Sequence, residues 1–150
     1  MRKYLLYSII SIITCFNLYA TDFGSKEEAE NMLERAVNIL KLDKSLALEL
    51  FAEGEGGFIY KDLYTLCYHI DSGIMYSHPT LTGLSREKSV SEGVNIADLI
   101  VKSASEGKVN SVNVKVPRFT TGDTKIFDKT LLVTKVEDLA CAVGYYKNSK

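Results

Sequence analysis

Apolar side chains recur at three- and four-residue steps from Ala29 through Met32, Leu33, Ala36 and Val37 to Leu40, while Lys26, Glu30, Glu34, Arg35 and Lys41 fall mostly off that stripe. This is the period of an amphipathic helix with one face on a core. Ser25-Lys26-Glu27-Glu28 marks its start, because the Ser25 hydroxyl and the Glu28 carboxylate can each accept a backbone N–H in a capping box. Asp43-Lys44 is expected to interrupt the helix. A second helical piece over residues 45–52 turns Leu46, Ala47, Leu50 and Phe51 inward, and Gly54-Glu55-Gly56-Gly57 ends it. That glycine run follows a helix rather than a strand, so it lacks the setting of a phosphate-cradling loop.

From Phe58 the pattern changes to aromatic and β-branched residues. Residues 63–70 read as a strand, Asp71-Ser72-Gly73 as a turn, and residues 74–78 as the hairpin partner, ended by Pro79, which has no N–H to donate. Residues 80–93 form a polar connection of the length that often covers a site. Asn95 caps a helix through about residue 106, with Ala97, Ile100, Val101 and Ala104 inward and Gly107 as terminator. Val112, Val114 and Val116 then alternate with Ser111, Asn113 and Lys115, the signature of a half-buried strand. Pro117 is expected to stop that strand, Thr121-Gly122-Asp123 to turn, residues 127–136 to return, Glu137-Asp138 to turn again and residues 139–146 to close the sheet.

The predicted order is α-β-β-α-β-β-β. An α+β fold follows: one five-stranded antiparallel sheet, the long N-terminal helix on one face, and the crossover helix and polar loop on the other. A small ligand would sit between sheet and loop.

The chain has 150 residues, 46% hydrophobic and 25% charged, enough to bury a core without staples. Eighteen basic and nineteen acidic residues give a net charge of −1, and losing Arg2 and Lys3 would make it −3, so no polybasic surface exists for nucleic acid or anionic lipid. Residues 1–20 read as a signal peptide: a basic start, an apolar run from Tyr4 through Phe16, and small Ala20 before the cut. The run is shorter than the roughly 20 apolar residues of a membrane span, and Thr14 before Cys15 is bulky for a lipid-anchor site. Export places residues 21–150 in the periplasm or outside the cell as one domain. Cys15 leaves with the leader, so Cys67 and Cys141 remain in an oxidising compartment. They can form one disulfide or stay as two buried thiols, the commoner state of mid-strand cysteines. His69 and His78 lie in no ligand-spaced cluster, so neither a metal nor another cofactor is expected.

A family likeness runs through Asp22-Phe23-Gly24-Ser25-Lys26-Glu27-Glu28-Ala29, Asp62-Leu63-Tyr64 with Tyr68 and Asp71, His78-Pro79, Leu81-Thr82-Gly83, Lys129-Thr130, Val136-Glu137-Asp138-Leu139 and Gly144-Tyr145-Tyr146-Lys147. Over residues 22–147 the chain resembles a single Cache domain, in particular the standalone periplasmic members of the type 2 single Cache group. The resemblance implies a PAS-like fold and extracytoplasmic sensing of small molecules, often short carboxylates, in signal transduction such as chemotaxis. Such domains are usually attached to a chemoreceptor or kinase. No signalling module is expected here, so the message would pass to a separate membrane sensor protein or a second copy. The family's third strand resembles Trp-x-x-Tyr-x-Trp-Pro, where this sequence has Ser111, Val114, Val116 and Pro117, and the tyrosine three after the matching lysine is Leu132. Those departures imply a wider, more aliphatic pocket with fewer donors.

Lys129 matches the family's lysine and would supply a positive charge to a carboxylate. His78 matches a common family histidine and would donate a hydrogen bond to it. Tyr64 and Tyr68 share one strand face, and Tyr76 and His78 one face of the next, so the tyrosines are expected to floor the pocket. Arg118 would reach across the mouth as a bidentate clamp. The expected function is a periplasmic module that binds and senses a small polar metabolite such as a carboxylate. The alternative is an interaction protein with a degenerate pocket, docking through its long helix onto a membrane sensor or a sister copy. No catalytic signature is present and no triad is arguable from the scattered Ser, His and Asp, so an enzyme is not expected.

Overall fold

Helix α1 (Lys26–Leu42) starts as its sequence requires: the Glu28 N–H donates to Ser25 Oγ at 3.1 Å and the Ser25 N–H to Glu28 Oε2 at 2.8 Å. In the computed structural model, which describes residues 23–147, the leader expected over residues 1–20 lies outside the described residues. Asp43 is extended, ends α1, and turns its carboxylate onto the Leu46 N–H at 3.0 Å to cap α2 (Lys44–Glu53). Gly54, left-handed at φ 75°, ends α2.

Among the described residues eight strands follow α1 and α2: β1 (Ile59–Tyr60), β2 (Leu63–His69), β3 (Met75–Ser77), β4 (Val90–Ser91), β5 (Val94–Asn95), β6 (Asn110–Arg118), β7 (Asp123–Val136) and β8 (Leu139–Tyr146), with α3 (Ile96–Ser103) between β5 and β6. The main sheet runs β1-β2-β8-β7-β6, with β3 also on β2, and every pair in it is antiparallel. The five expected strands are present, and short β1 makes a sixth. β4 and β5 form a hairpin of their own within the connection that the sequence showed only as polar.

Three boundaries differ from expectation. Pro117 does not stop β6; it sits where the pairing with β7 shifts register between Val116 and Arg118, on an edge strand where a missing N–H is tolerated. β7 accordingly begins at Asp123, paired with Arg118. α3 ends at Ser103, because Asn110 Nδ2 donates to the Ser103 carbonyl at 2.7 Å and the chain then bridges to β7 between Glu106 and Lys135.

The sheet is buried on both faces. Under α1 and α2, Met32, Leu33, Leu40 and Phe51 pack on Leu63, Cys67, Leu132, Cys141 and Val143. On the other face Ala97 and Ile100 of α3 pack with the group containing Ala140 and Ala142, whose small side chains let the helix approach. Cys67 and Cys141 are direct partners across β2 and β8, with Cα atoms 4.1 Å apart, and they are disulfide-bonded. The free-thiol expectation fails because the pairing register brings them to the close spacing of a non-hydrogen-bonded antiparallel pair.

Candidate functional site

A cavity of about 360 Å³ lies on the α3 side of the sheet, beneath the connection from β3 to α3. β2 supplies Tyr64, Leu66 and Tyr68; β6 supplies Val114 and Val116; β7 supplies Lys129 and Leu131. The valines come from the alternation read in the sequence, their side chains inward and Lys115 outward. The covering connection adds Leu81, Leu84 and Ser89, and Ser89 is tied to the floor by a 2.5 Å hydrogen bond with the Tyr68 hydroxyl.

Lys129 is 1% exposed and its Nζ makes no hydrogen bond among the described residues. Two aromatic faces are its neighbours, Tyr64 with its centroid at 3.8 Å and Tyr146 at 4.6 Å. Burial drives its pKa down to about 7; the negative charge of Asp62 opposes that fall and the Arg118 guanidinium adds to it. Asp62, itself fully buried, is already engaged: Oδ1 accepts the Gly24 N–H at 2.6 Å and Oδ2 lies 3.7 Å from Arg118 Nε. The lysine's positive charge is therefore neither hydrogen-bonded nor ion-paired among the described residues, an expensive state unless something else meets it.

Gly144 on β8 makes room for this lysine. A Cβ there would stand 2.4 Å from Lys129 Cε and 2.5 Å from Leu131 Cδ2. Gly144→Ala is expected to destabilise the protein by about 1–3 kcal/mol through overpacking, measured as a lower urea midpoint. An unchanged midpoint would contradict the path assigned to the lysine stem.

His78 is 2% exposed, its ring edge-on to Tyr64 at 4.7 Å and to Phe119 at 5.1 Å. It follows β3 and is held by Thr82, whose hydroxyl accepts the His78 N–H at 2.9 Å and donates to the His78 carbonyl at 2.8 Å. Nδ1 accepts the Thr80 N–H at 3.1 Å, so the proton of the neutral ring belongs on Nε2. Burial, then the charge of Lys129, lowers its pKa to about 3, so the ring is neutral at physiological pH. The site thus combines a lysine amine without a hydrogen-bond partner among the described residues, charged below a pH of about 7, with one imidazole N–H donor and an apolar lining.

Of the expected residues, the structure brings Lys129, His78, Tyr64 and Tyr68 to one cavity. Tyr76 is a correction: it is 39% exposed and stacks on His69 at 5.0 Å, outside the cavity. Arg118 is a second. Instead of clamping the mouth it is 7% exposed, beneath the rings of Phe23 (4.1 Å), Phe127 (4.3 Å) and Tyr146 (4.9 Å) and beside Asp62. Asp62, Phe119 and Tyr146 join the site without a local sequence signal of their own; Asp62 and Tyr146 stand in the stretches that carry the family likeness. Among the described residues no group of three or more His, Cys, Asp or Glu is placed to hold a metal ion.

An antiparallel sheet, a long N-terminal helix behind it and a cavity roofed by the β3–α3 connection define a PAS-like α+β architecture. Solved Cache and related chemosensory domains share this fold. A methyl-accepting chemotaxis protein from Vibrio parahaemolyticus aligns with a TM-score of 0.62 at 18% identity, over 81% of this chain and 87% of that one. A Cache chemosensory domain described for its recognition of carboxylic acids aligns at 0.57 and 18% identity, over 81% and 88%. A periplasmic sensor domain of a chemotaxis protein aligns at 0.58 and 19% identity, over 81% and 90%. No family model matches the chain, and no curated protein matches it.

Proposed function

We propose that this protein is a periplasmic Cache-type sensing module that captures a small anion, a carboxylate, in the cavity between sheet and β3–α3 connection. The observation that carries the reading is Lys129: a buried ammonium at the cavity wall with no hydrogen-bond partner among the described residues. An anion there would meet the lysine charge, and the His78 Nε2–H would direct a second hydrogen bond to it. The carboxylic-acid-binding neighbour supports the same chemistry. Binding would be capture without a covalent step: Ser89, bonded to Tyr68, orders the roof when the cavity fills. Delivery by the leader and hand-over to a membrane sensor protein or a second copy complete the proposal.

The test is a thermal-shift screen of protein refolded to strip copurified ligand, against carboxylates, amino acids, amines and nucleobases. A ligand at a hundred times its Kd adds about 2.7 kcal/mol, several degrees for a domain of this size. Carboxylates are expected to shift the wild type and to lose the shift in Lys129→Met. A shift that survives Lys129→Met would remove the lysine from the site.

One observation favours the interaction reading. A groove of about 790 Å³ runs beside α1, with Leu33, Val37, Val136 and 58%-exposed Val109 along it. A flat screen over a folded protein, with a partner binding lost on Val37→Asp, would favour docking through α1 instead.

A further inference from the structure

We infer that the anion has an aliphatic body: the cavity suits an alkyl monocarboxylate with a tail of several carbons, not an amino acid, a dicarboxylate or a sugar acid. The inference rests on the anion site proposed above and concerns the rest of the ligand. No Asp or Glu lines the cavity, so an ammonium group on the ligand would be buried without a partner. The other lysine at its edge, Lys88, is exposed on the rim, where a second carboxylate would gain little. The lining hydroxyls of Tyr68, Ser89 and Ser91 are already partly engaged within the protein. Tyr68 and Ser89 are hydrogen-bonded to each other, and Ser91 Oγ donates to the Lys115 carbonyl at 2.5 Å.

The walls beyond Lys129 and His78 are hydrocarbon, with Val114, Val116 and Leu131 on the floor. The lining also reaches two apolar residues that the protein leaves half in water, Val90 on β4 at 53% exposure and Ile126 on β7 at 44%. A tail leaving the deep end would cover them, and the hydrophobic effect would reward each added methylene until it does.

The experiment is a calorimetric titration of the refolded protein with straight-chain carboxylates from acetate to octanoate. Norleucine, adipate and hexylamine serve as matched six-carbon controls. Affinity is expected to rise about fourfold per methylene from butanoate to hexanoate and then to level off. Hexanoate should exceed each six-carbon control at least tenfold. Val90→Ser, at an exposed position, should shrink the gain from the last methylenes. If acetate, norleucine or adipate binds best and Lys129→Met abolishes that binding, the aliphatic inference is overturned while the anion site stands. If no carboxylate of any length binds, or hexanoate binds Lys129→Met as tightly as wild type, the anion site itself is overturned.

Discussion

Replacing Asp62 by alanine is expected to cost about 3–5 kcal/mol of stability, the usual consequence of removing one partner from a buried charged pair. Asp62 is fully buried and holds two parts of the molecule at once: the Gly24 N–H, just before α1, and Arg118 at the end of β6. It also offsets the buried charge of Lys129. Alanine would take away the acceptor and the negative charge together. Asp62→Asn keeps an acceptor for Gly24 and is expected to cost less, so the two variants separate the hydrogen bond from the charge. Urea unfolding measures both. Variants within about 1 kcal/mol of the wild type would show that the buried carboxylate is not a structural tie.

The second large effect is at the disulfide. Cys67 and Cys141 are 74 residues apart in sequence, and the bond joins β2 to β8 in the middle of the sheet. Opening a loop of that length restores chain entropy to the unfolded state worth about 4 kcal/mol. Replacing both cysteines by alanine is therefore expected to lower the melting temperature steeply, and the same loss should follow reduction under unfolding conditions. A double variant as stable as wild type would mean the bond contributes nothing to the native sheet.

Local signals in the sequence located most of the fold. The Ser25 capping box, the Ala29-to-Leu40 stripe and the alternating valines of β6 each state their own element, because each is a short-range pattern with one physical reading. The site was legible where alternation held: Tyr64, Tyr68 and Lys129 face the cavity as their strand parity requires. Tyr76 shows where parity stops. Alternation puts it with His78 on one face, but β3 ends at Ser77 and the chain turns at Pro79, so His78 bends into the cavity while Tyr76 stays outside on His69. Pairing partners are non-local, and so the disulfide, the Arg118–Asp62 contact and the continuation of β6 through Pro117 could not be read from neighbours in sequence.

The pKa of Lys129 links stability and binding with opposite signs. It stands at about 7 in the fold, against 10.5 as its ordinary value. Between those values the unfolded chain holds the additional proton, so the lysine's contribution to stability rises with pH across that window and is least favourable below about 7. An anion beside it favours the charged form, so ligand affinity is greatest below pH about 7 and declines above it. His78, lowered to about 3 from 6.5, adds acid lability: its contribution to stability is present above 6.5 and is lost as pH falls from there toward 3.

The protonation of Lys129 can be read by an NMR titration of protein carrying 13C at the lysine ε-carbons, with and without a carboxylate such as hexanoate. One lysine is expected to titrate near pH 7, to be absent from Lys129→Met, and to have its midpoint move upward when the carboxylate is added. If every lysine titrates near 10.5, or the low midpoint is unmoved by carboxylates, Lys129 is not the anchor of an anion site.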